Sequence, residues 1–263
     1  MSEVPAVAPA RRWTVLVIAG LVTGLFSGLF GVGGAVIVVP ALTTFLRFPQ
    51  RVASGTSLLA LLPMAVVGAV AYELQGAGGF LLGLVVGAGA VVGGLIGSWL
   101  LARIPGRVLA WLFIVCIFAV VAQMFFVTPV RDPAPALSWP LGLVLFAIGI
   151  GAGVLSGLLG IGGGIVLVPA MILGLHLSDI VTKSASLVAI IPNSISTTIA
   201  NATRGNVDIR AGLVLGFCGA ITAIIGTVIA NAIPPQAATI AYATVMLLMA
   251  LQMIWQQLRR GRA

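Results

Sequence analysis

The sequence predicts an all-α membrane protein with two inverted-topology repeats, each a Gly-rich re-entrant helical hairpin plus three transmembrane helices. The first observation is composition: 60% hydrophobic and 7% charged residues leave too little polar surface for a water-soluble globule of 263 residues. The second is a set of nearly uncharged stretches 20 to 23 residues long. The third is an internal repeat, because residues 23–105 return at 152–234, at a constant offset of 129 and without a gap.

The nearly uncharged stretches have the length of membrane-spanning helices, which need roughly 17–25 apolar residues. Strands of a membrane barrel are about 9–11 residues long and alternate in polarity, which these stretches do not. The six predicted spans are 52–74, 80–102, 108–127, 184–203, 211–232 and 237–257.

Two Gly-rich segments, 13–46 and 139–175, are too long for one crossing. About 34 residues at 1.5 Å each would measure roughly 50 Å, against a hydrocarbon core of about 30 Å. Glycine clusters at 31–34 and 160–164 lie near the middle of these segments, where helix propensity is lowest. Limbs of roughly 15 residues on either side predict a hairpin that enters the membrane and returns to the same side.

The distribution of basic residues favours these re-entrant hairpins. With a cytoplasmic N-terminus, hairpins leave only Arg131 and Lys183 outside and place the other 11 basic residues inside. If each Gly-rich segment crossed once, the division would be eight inside and five outside. The positive-inside rule prefers the first arrangement. Each repeat then makes three full crossings, an odd number, so the second repeat is inverted relative to the first.

This arrangement sets the predicted organisation of the chain. A cytoplasmic tail, 1–12, precedes repeat 1, 13–127, and a Pro-rich periplasmic linker, 128–138, leads to repeat 2, 139–258. A basic cytoplasmic tail, 259–263, ends the chain. The first apolar helix is not expected to be a cleaved signal, since residues 23 onward match an internal segment.

The glycine clusters predict an anion site. The second limb of each hairpin starts just after them, so free N–H groups and the positive end of a helix dipole point to the membrane centre. Inverted repeats with broken helices are typical of secondary transporters. The predicted substrate-binding glycines are Gly33, Gly34, Gly162, Gly163 and Gly164. Close helix packing is the alternative for the earlier glycines, Gly24, Gly28, Gly153 and Gly157.

Polar side chains inside the spans provide further candidates, because they are costly there unless they pair or face water. Asn193 follows a mid-membrane proline, and Ser57 and Ser186 correspond across the repeat. These three are predicted to bind substrate. The second repeat is polar where the first is apolar, with Asn193 opposite Met64, so selectivity is expected to reside mainly in the second half. Hydrogen bonding to their own helix is the alternative for Ser194, Thr197 and Thr198.

Ionisable residues in the apolar region are few. Glu73, His176, Asp179 and Lys183 fall near a predicted membrane interface, where a solvated helix-end residue is the simplest interpretation. Substrate attraction or coupling is the functional alternative for Glu73, Asp179 and Lys183, and Lys183 can attract an anion or pair with Asp179.

Several function classes are not supported by the residues present. The net charge of +8 comes from arginines at the ends of apolar segments rather than from a basic face, so no nucleic-acid partner is expected. One histidine in the chain and the lack of a catalytic constellation predict no metal site, no cofactor and no enzyme.

The doubled motif also resembles a known family. The segments 24–34 and 153–164, each followed by Val-Pro-Ala at 39–41 and 168–170, resemble the TauE/SafE family of sulfite exporters, also called TSUP transporters. The resemblance covers about 14–257. It implies export of sulfite, or movement of organosulfonates and related anions, across the bacterial inner membrane.

The resulting hypothesis is a secondary transporter in the lipid bilayer that moves such an anion by alternating access. An anion channel of the same architecture and a non-transporting membrane assembly protein are the alternatives. A homodimer is possible through Gly83, Gly87 and Gly94, which equally suit packing within one chain.

Overall fold

The computed structural model describes residues 9–124 and 134–260. The described residues form ten α-helices and no strand, which confirms the all-α class. The helices are α1 (Pro9–Phe30), α2 (Ala35–Phe45), α3 (Gln50–Leu74), α4 (Phe80–Arg103), α5 (Gly106–Met124), α6 (Trp139–Leu159), α7 (Gly164–Leu175), α8 (Asp179–Ala202), α9 (Ile209–Ala232) and α10 (Pro235–Arg260). Most of the predicted linker, 128–133, lies outside the described residues, as do residues 1–8 and 261–263.

Five helices are long and apolar enough to cross a membrane. A helix of 24 residues measures about 36 Å, more than the roughly 30 Å of a hydrocarbon core. Their outer faces carry exposed large apolar side chains, such as Phe217 at 62% and Ile221 at 66% exposure on α9. The chain is therefore a multi-pass membrane protein. The five segments are Arg12–Phe30, Gln50–Leu74, Phe80–Arg103, Trp139–Leu159 and Ile209–Ala232.

The limbs of the two Gly-rich hairpins are unequal, which corrects the expected limbs of about 15 residues. The first limbs, α1 and α6, have 22 and 21 residues, whereas α2 and α7 have 11 and 12. The first limbs are thus about 32 Å long and the second about 17 Å. Helix α1 starts at Pro9, before the expected residue 13, and both first limbs continue through their first glycines, because those glycines pack against neighbouring helices instead of breaking the backbone.

One end of the molecule, here called the arginine end, is marked by Arg12, Phe48, Arg51, Ile104 and Asp208. The Arg12 guanidinium lies 5.6 Å from the centroid of the Phe48 ring and pairs with Asp208. Arg51 donates to the Ile104 carbonyl at 2.9 Å. Because Arg12 lies in the first turn of α1 and Phe48 follows α2, the first hairpin begins and ends at the arginine end.

The opposite end, here called the acidic end, is marked by Glu73, Asp179, Lys183 and Ser184. Glu73 ends α3, about 35 Å along the helix from its start, and accepts hydrogen bonds from Gly79 N and Ser184 Oγ. Helix α8 starts here with a Lys183–Asp179 ion pair.

The second hairpin opens at the acidic end. Helix α4 starts there, and α6 runs parallel to it. A Cβ atom on Gly89 would lie 2.2 Å from Phe146 O and one on Gly97 would lie 2.1 Å from Val154 O, so the contacts advance along both helices in the same direction. Helix α7 ends there, just before α8 begins at Asp179. The two hairpins therefore open at opposite ends of the molecule.

The first limb of each hairpin packs on a helix of the other repeat. A Cβ atom on Gly24 of α1 would lie 1.9 Å from Gly219 O of α9. The corresponding atom on Gly153 of α6 would lie 2.3 Å from Ala90 O of α4, the matching contact at an offset of 129. Only glycine permits such an approach of two backbones. Gly28 and Gly157 make equivalent contacts, so these four glycines serve helix packing.

The glycines considered for a dimer face also pack within the chain. A Cβ atom on Gly83 would lie 2.6 Å from Ala185 O, and one on Gly87 would lie 2.9 Å from the Pro192 ring. A Cβ atom on Gly94 would lie 2.2 Å from Asn193 Oδ1. This face of α4 is covered by α8 and is not available to a second copy.

Candidate functional site

The tip of each hairpin is a run of glycines in the left-handed region, which L-residues with a side chain rarely adopt. The backbone turns sharply there and a new helix starts at once, with Gly34 and Gly163 as the N-caps of α2 and α7. Neither N-cap supplies a side-chain hydrogen bond. The φ angles are +68, +75 and +69° at Gly31, Gly33 and Gly34, and +74, +73 and +86° at Gly160, Gly162 and Gly163.

The two tips meet inside the protein. A Cβ atom on Gly164, the first residue of α7, would lie 2.5 Å from Val32 Cα. Leu61 and Ile190, which correspond across the repeat, flank both tips: Ile190 Cδ1 is 3.1 Å from the Cβ position of Gly33, and Leu61 Cδ1 is 2.4 Å from that of Gly162. The structure therefore brings together Gly33, Gly162 and Gly164.

The helix starts at the tips carry unpaired positive charge. The first N–H groups of an α-helix have no partner four residues back, and the aligned peptide dipoles add roughly half a positive charge. The third N–H group of each helix, Ile37 N and Val166 N, is already bonded to the N-cap carbonyl. The surroundings of these helix starts are apolar, since Val32, Ala35, Ile161 and Ile165 are all buried. In such surroundings a dipole acts more strongly than in water.

Ser57 binds the second hairpin. Its hydroxyl lies 2.6 Å from the Gly160 carbonyl and 2.8 Å from the Ser54 carbonyl. Ser54 donates to the Leu159 carbonyl at 3.0 Å. Two hydroxyls at the start of α3 thus fasten the end of α6, and the Ser57 proton is already engaged.

Ser186, the counterpart of Ser57, has no hydrogen-bond partner although it is fully buried. It lies on α8 between Lys183, whose Cβ is 2.5 Å from the Cβ position of Gly31, and Ile190, which contacts Gly33. Residues three and four apart share a helix face, so the Ser186 hydroxyl faces the tip of the first hairpin. An unsatisfied buried hydroxyl is the type of group that a ligand satisfies.

Asn193 links α8 to α6. Its Nδ2 donates to Ser156 Oγ at 2.7 Å, and its Oδ1 has no hydrogen-bond partner. Ser156 was not among the predicted site residues. Its signal in the sequence was its pairing with Ser27 across the repeat, where both serines precede the last helical glycine of the motif.

Space at the two tips differs. A Cβ atom on Gly163 would be 3.5 Å from its nearest neighbours, Ala152 O and Ser156 Cβ, which is ordinary contact. A Cβ atom on Gly34 would be 2.4 Å from Thr23 Cγ2. Thr23 O would lie 2.5 Å from the same position, whereas the O atom of Ala152, the corresponding residue, lies 3.5 Å from the Cβ position of Gly163, so both backbone and side chain are farther from Gly163.

Hydrogen bonding to their own helix is the alternative to a substrate role for three polar residues of α8. Thr197 does so, with its hydroxyl 2.6 Å from the Asn193 carbonyl. The hydroxyls of Ser194 and Thr198 have no partner. A hydrogen bond to a carbonyl of its own helix therefore accounts for the buried hydroxyl of Thr197 but not for those of Ser194 and Thr198.

Asp179 and Lys183 are not solvated helix-end residues, which corrects that interpretation. They are 6% and 3% exposed, and Lys183 Nζ lies 2.7 Å from Asp179 Oδ2. They are buried because the tip of the first hairpin reaches this end of the protein and Gly31 packs on the Lys183 side chain. Glu73 is only partly buried, and His176 is exposed.

Comparison with known proteins connects this architecture to a family. The family model described as "Sulfite exporter TauE/SafE" matches residues 3–124 and 144–263. The chain is similar to "Probable membrane transporter protein YdhB" of Bacillus subtilis, with 29% identity over 74% of this chain and 80% of the relative. "Probable membrane transporter protein YunE" of the same organism is 26% identical over the same shares. A "Probable membrane transporter protein" of Haemophilus influenzae is 27% identical over 59% of each chain.

No solved structure matches the chain. The family model covers both repeats and therefore both hairpins. The names of the curated relatives agree with the apolar helices in indicating a membrane transporter. The chain belongs to the TauE/SafE sulfite-exporter family of membrane proteins.

Proposed function

We propose that the protein is a secondary transporter that moves sulfite or a small organosulfonate across the bacterial inner membrane. The observation that carries this proposal is the meeting of two hairpin tips, each with an uncapped helix N-terminus, inside the protein. Two such ends favour a negative charge between them without a buried lysine at the same point.

The anion binds beside the second tip in this proposal, where Gly163 leaves room. The N–H groups of Gly162, Gly163 and Gly164 face it. The Ser156 hydroxyl accepts the Asn193 bond, which leaves its own proton available to the anion. The first tip, with Gly33 and Gly34, contributes its dipole, and Ser186 supplies a hydroxyl with no competing partner.

Alternating access rests on the opposite openings of the two hairpins, which support repeats of inverted topology. The arginine end also holds Arg103, in the last turn of α4 beside Ile104, and Arg204, which donates to the Ser98 carbonyl near the same end of α4. With Arg12 and Arg51, it is the cytoplasmic side by the positive-inside rule. Both chain termini then lie in the cytoplasm. Ser54 and Ser57 hold the second tip to α3, and the Tyr72 hydroxyl of α3 holds the Gly28 carbonyl of the first hairpin.

The test is anion flux in proteoliposomes that contain the purified protein. Sulfite, taurine, sulfoacetate and sulfate are compared, and we expect saturable flux of sulfite or a sulfonate. Ser186→Ala removes a hydrogen bond to the anion, worth about 1.5–3 kcal/mol, so affinity is expected to fall about 10- to 150-fold. Asn193→Ala removes the bond that orients the Ser156 hydroxyl and is also expected to lower affinity. Thr244→Val is the matched control, since its exposed hydroxyl bonds only to its own helix.

Each alternative has its own outcome in this assay. A channel would show rates far above those of a carrier and no saturation. An assembly protein would show no flux of any anion. Wild-type flux that is unchanged in both the Asn193→Ala and Ser186→Ala variants would refute the proposed site.

A further inference from the structure

The buried ion pair at the acidic end is not used by the proposed backbone site. The side chains of Lys183 and Asp179 are 4% and 9% exposed, and the two charged atoms lie 2.7 Å apart. Lys183 is the only lysine in the chain. The Cα, Cβ and Cγ atoms of Lys183 lie 2.5–2.7 Å from the Cβ position of Gly31, so its stem packs on the tip of the first hairpin, and its ammonium group lies on Asp179. By contrast, the side chains of the Arg12–Asp208 pair are 30% and 21% exposed.

The duplicated fold does not require charges at these positions. At an offset of 129, Asp179 corresponds to Gln50 and Lys183 to Ser54. Ser54 packs on Gly160 as Lys183 packs on Gly31, and it holds the hairpin with a neutral hydroxyl. A buried ion pair is often no more stabilising than neutral residues, and an ionisable pair inside a membrane protein usually marks an ion or substrate path.

Charge balance suggests what the pair does. Without an anion, the ammonium and the carboxylate neutralise each other. The helix dipoles favour an anion at the tips, but the anion would still give the buried region a net charge of one negative unit, which is unfavourable. Protonation of the Asp179 carboxylate removes that charge and releases Lys183.

We propose that Asp179 carries one proton for each monovalent anion bound, and that the Lys183 ammonium freed in this way balances the charge of the anion. This inference rests on the proposed anion site at the tips. The proton enters from water at the acidic end and binds a carboxylate oxygen of Asp179, and the freed Lys183 ammonium then balances the charge of the anion. On release of the anion, Asp179 loses the proton and the ion pair forms again. Transport is thus proton-coupled.

Other ionisable groups near the first turns of α8 have different contacts. Glu73 Oε1 is occupied by Gly79 N and Ser184 Oγ. The Tyr72 hydroxyl donates to the Gly28 carbonyl at 2.6 Å. His176, at the end of α7, is exposed to solvent. Within the described part of the elements packed there, Asp179 is the buried carboxylate whose partner, Lys183, also packs on the hairpin tip at Gly31.

The test measures sulfite accumulation in proteoliposomes with and without an imposed pH gradient, acidic on the loading side. One proton per anion converts a gradient of one pH unit, about 1.36 kcal/mol, into about tenfold more accumulation. Asp179→Asn is expected to transport sulfite down its own gradient and to lose most of this response. Sulfite protonation in solution is the same for every variant. A difference between variants in the response of accumulation to the pH gradient therefore comes from the protein.

Asp208→Asn is the matched control, because it alters the other ion pair and keeps a side-chain oxygen to cap α9. We expect it to retain the wild-type response, and Asp179→Glu to retain most of it. Lys183→Gln is expected to weaken sulfite binding at least about tenfold.

The outcomes separate the two proposals. No flux of any anion by the wild type overturns the transport function itself. Three results would overturn only the proposed proton coupling. They are wild-type flux that does not change with the pH gradient, a wild-type response to the gradient in Asp179→Asn, and a monodisperse Asp179→Asn variant that shows no flux. If Asp179→Asn does not purify as a monodisperse protein, the Asp179→Asn, Lys183→Gln double variant removes both charges. It should show weakened sulfite transport with no response to the gradient, and a retained response would refute the inference.

Discussion

The contact between the two hairpin tips makes a sharp prediction at Gly164. In Gly164→Ala the new Cβ atom would lie 2.5 Å from Val32 Cα and 2.8 Å from both Val32 C and Val32 O. Carbon atoms in contact are about 3.5–4.0 Å apart, so the tips must separate by roughly 1 Å. The atoms in the way belong to backbone and cannot change rotamer. The first repeat has alanine at the equivalent position, Ala35, so the turn itself tolerates a Cβ atom.

The expected effect of Gly164→Ala is about 1–3 kcal/mol of destabilisation, the usual range for overpacking. The same shift of the tips should weaken anion binding about 5- to 150-fold. The measurements are thermal unfolding of the detergent-purified protein and sulfite flux in proteoliposomes.

Gly174→Ala is the control for this prediction, because it makes the same change in the same helix. Nothing lies within 4 Å of its Cβ position, and alanine has the higher helix propensity. We expect Gly174→Ala to be neutral or slightly stabilising. If Gly164→Ala were as stable and as active as Gly174→Ala, the tips would not meet as described.

Two further predictions concern buried hydroxyl groups. Ser57→Ala removes the bond to Gly160 O and should lower the free energy of unfolding by about 1 kcal/mol. Ser186→Ala removes an unpartnered hydroxyl, so the free energy of unfolding of the anion-free protein should be unchanged or slightly higher. Equal destabilisation by both substitutions, measured by thermal unfolding, would contradict this difference. Tyr72→Phe removes the bond to the Gly28 carbonyl and should lower stability by about 1 kcal/mol; an unchanged melting temperature would show that this bond contributes nothing.

Much of the architecture was accessible from the sequence because it depends on local properties. Hydrophobic length predicted the helices, since crossing a membrane needs a fixed rise of about 1.5 Å per residue. The repeated glycines predicted the sharp turns at Gly33 and Gly162, because positive φ favours glycine. The limb lengths were wrong because propensity alone does not show that Gly24 and Gly28 are supported within a helix by packing on α9.

The sequence by itself determined the membrane class, the duplication, the family and the position of the glycine turns. These follow from composition, from the internal offset and from backbone sterics, all of which are properties of short stretches of chain. Only the tertiary structure decided which of the predicted polar residues lack a hydrogen-bond partner. Ser57 and Ser186 are identical in type and correspond in sequence, yet Ser57 bonds to Gly160 and Ser186 to nothing. Likewise, Asp179 and Lys183 were expected at a solvated helix end and are buried because a hairpin from the other repeat covers them. Burial and hydrogen bonding depend on neighbours more than a hundred residues away, so no local pattern could distinguish these cases.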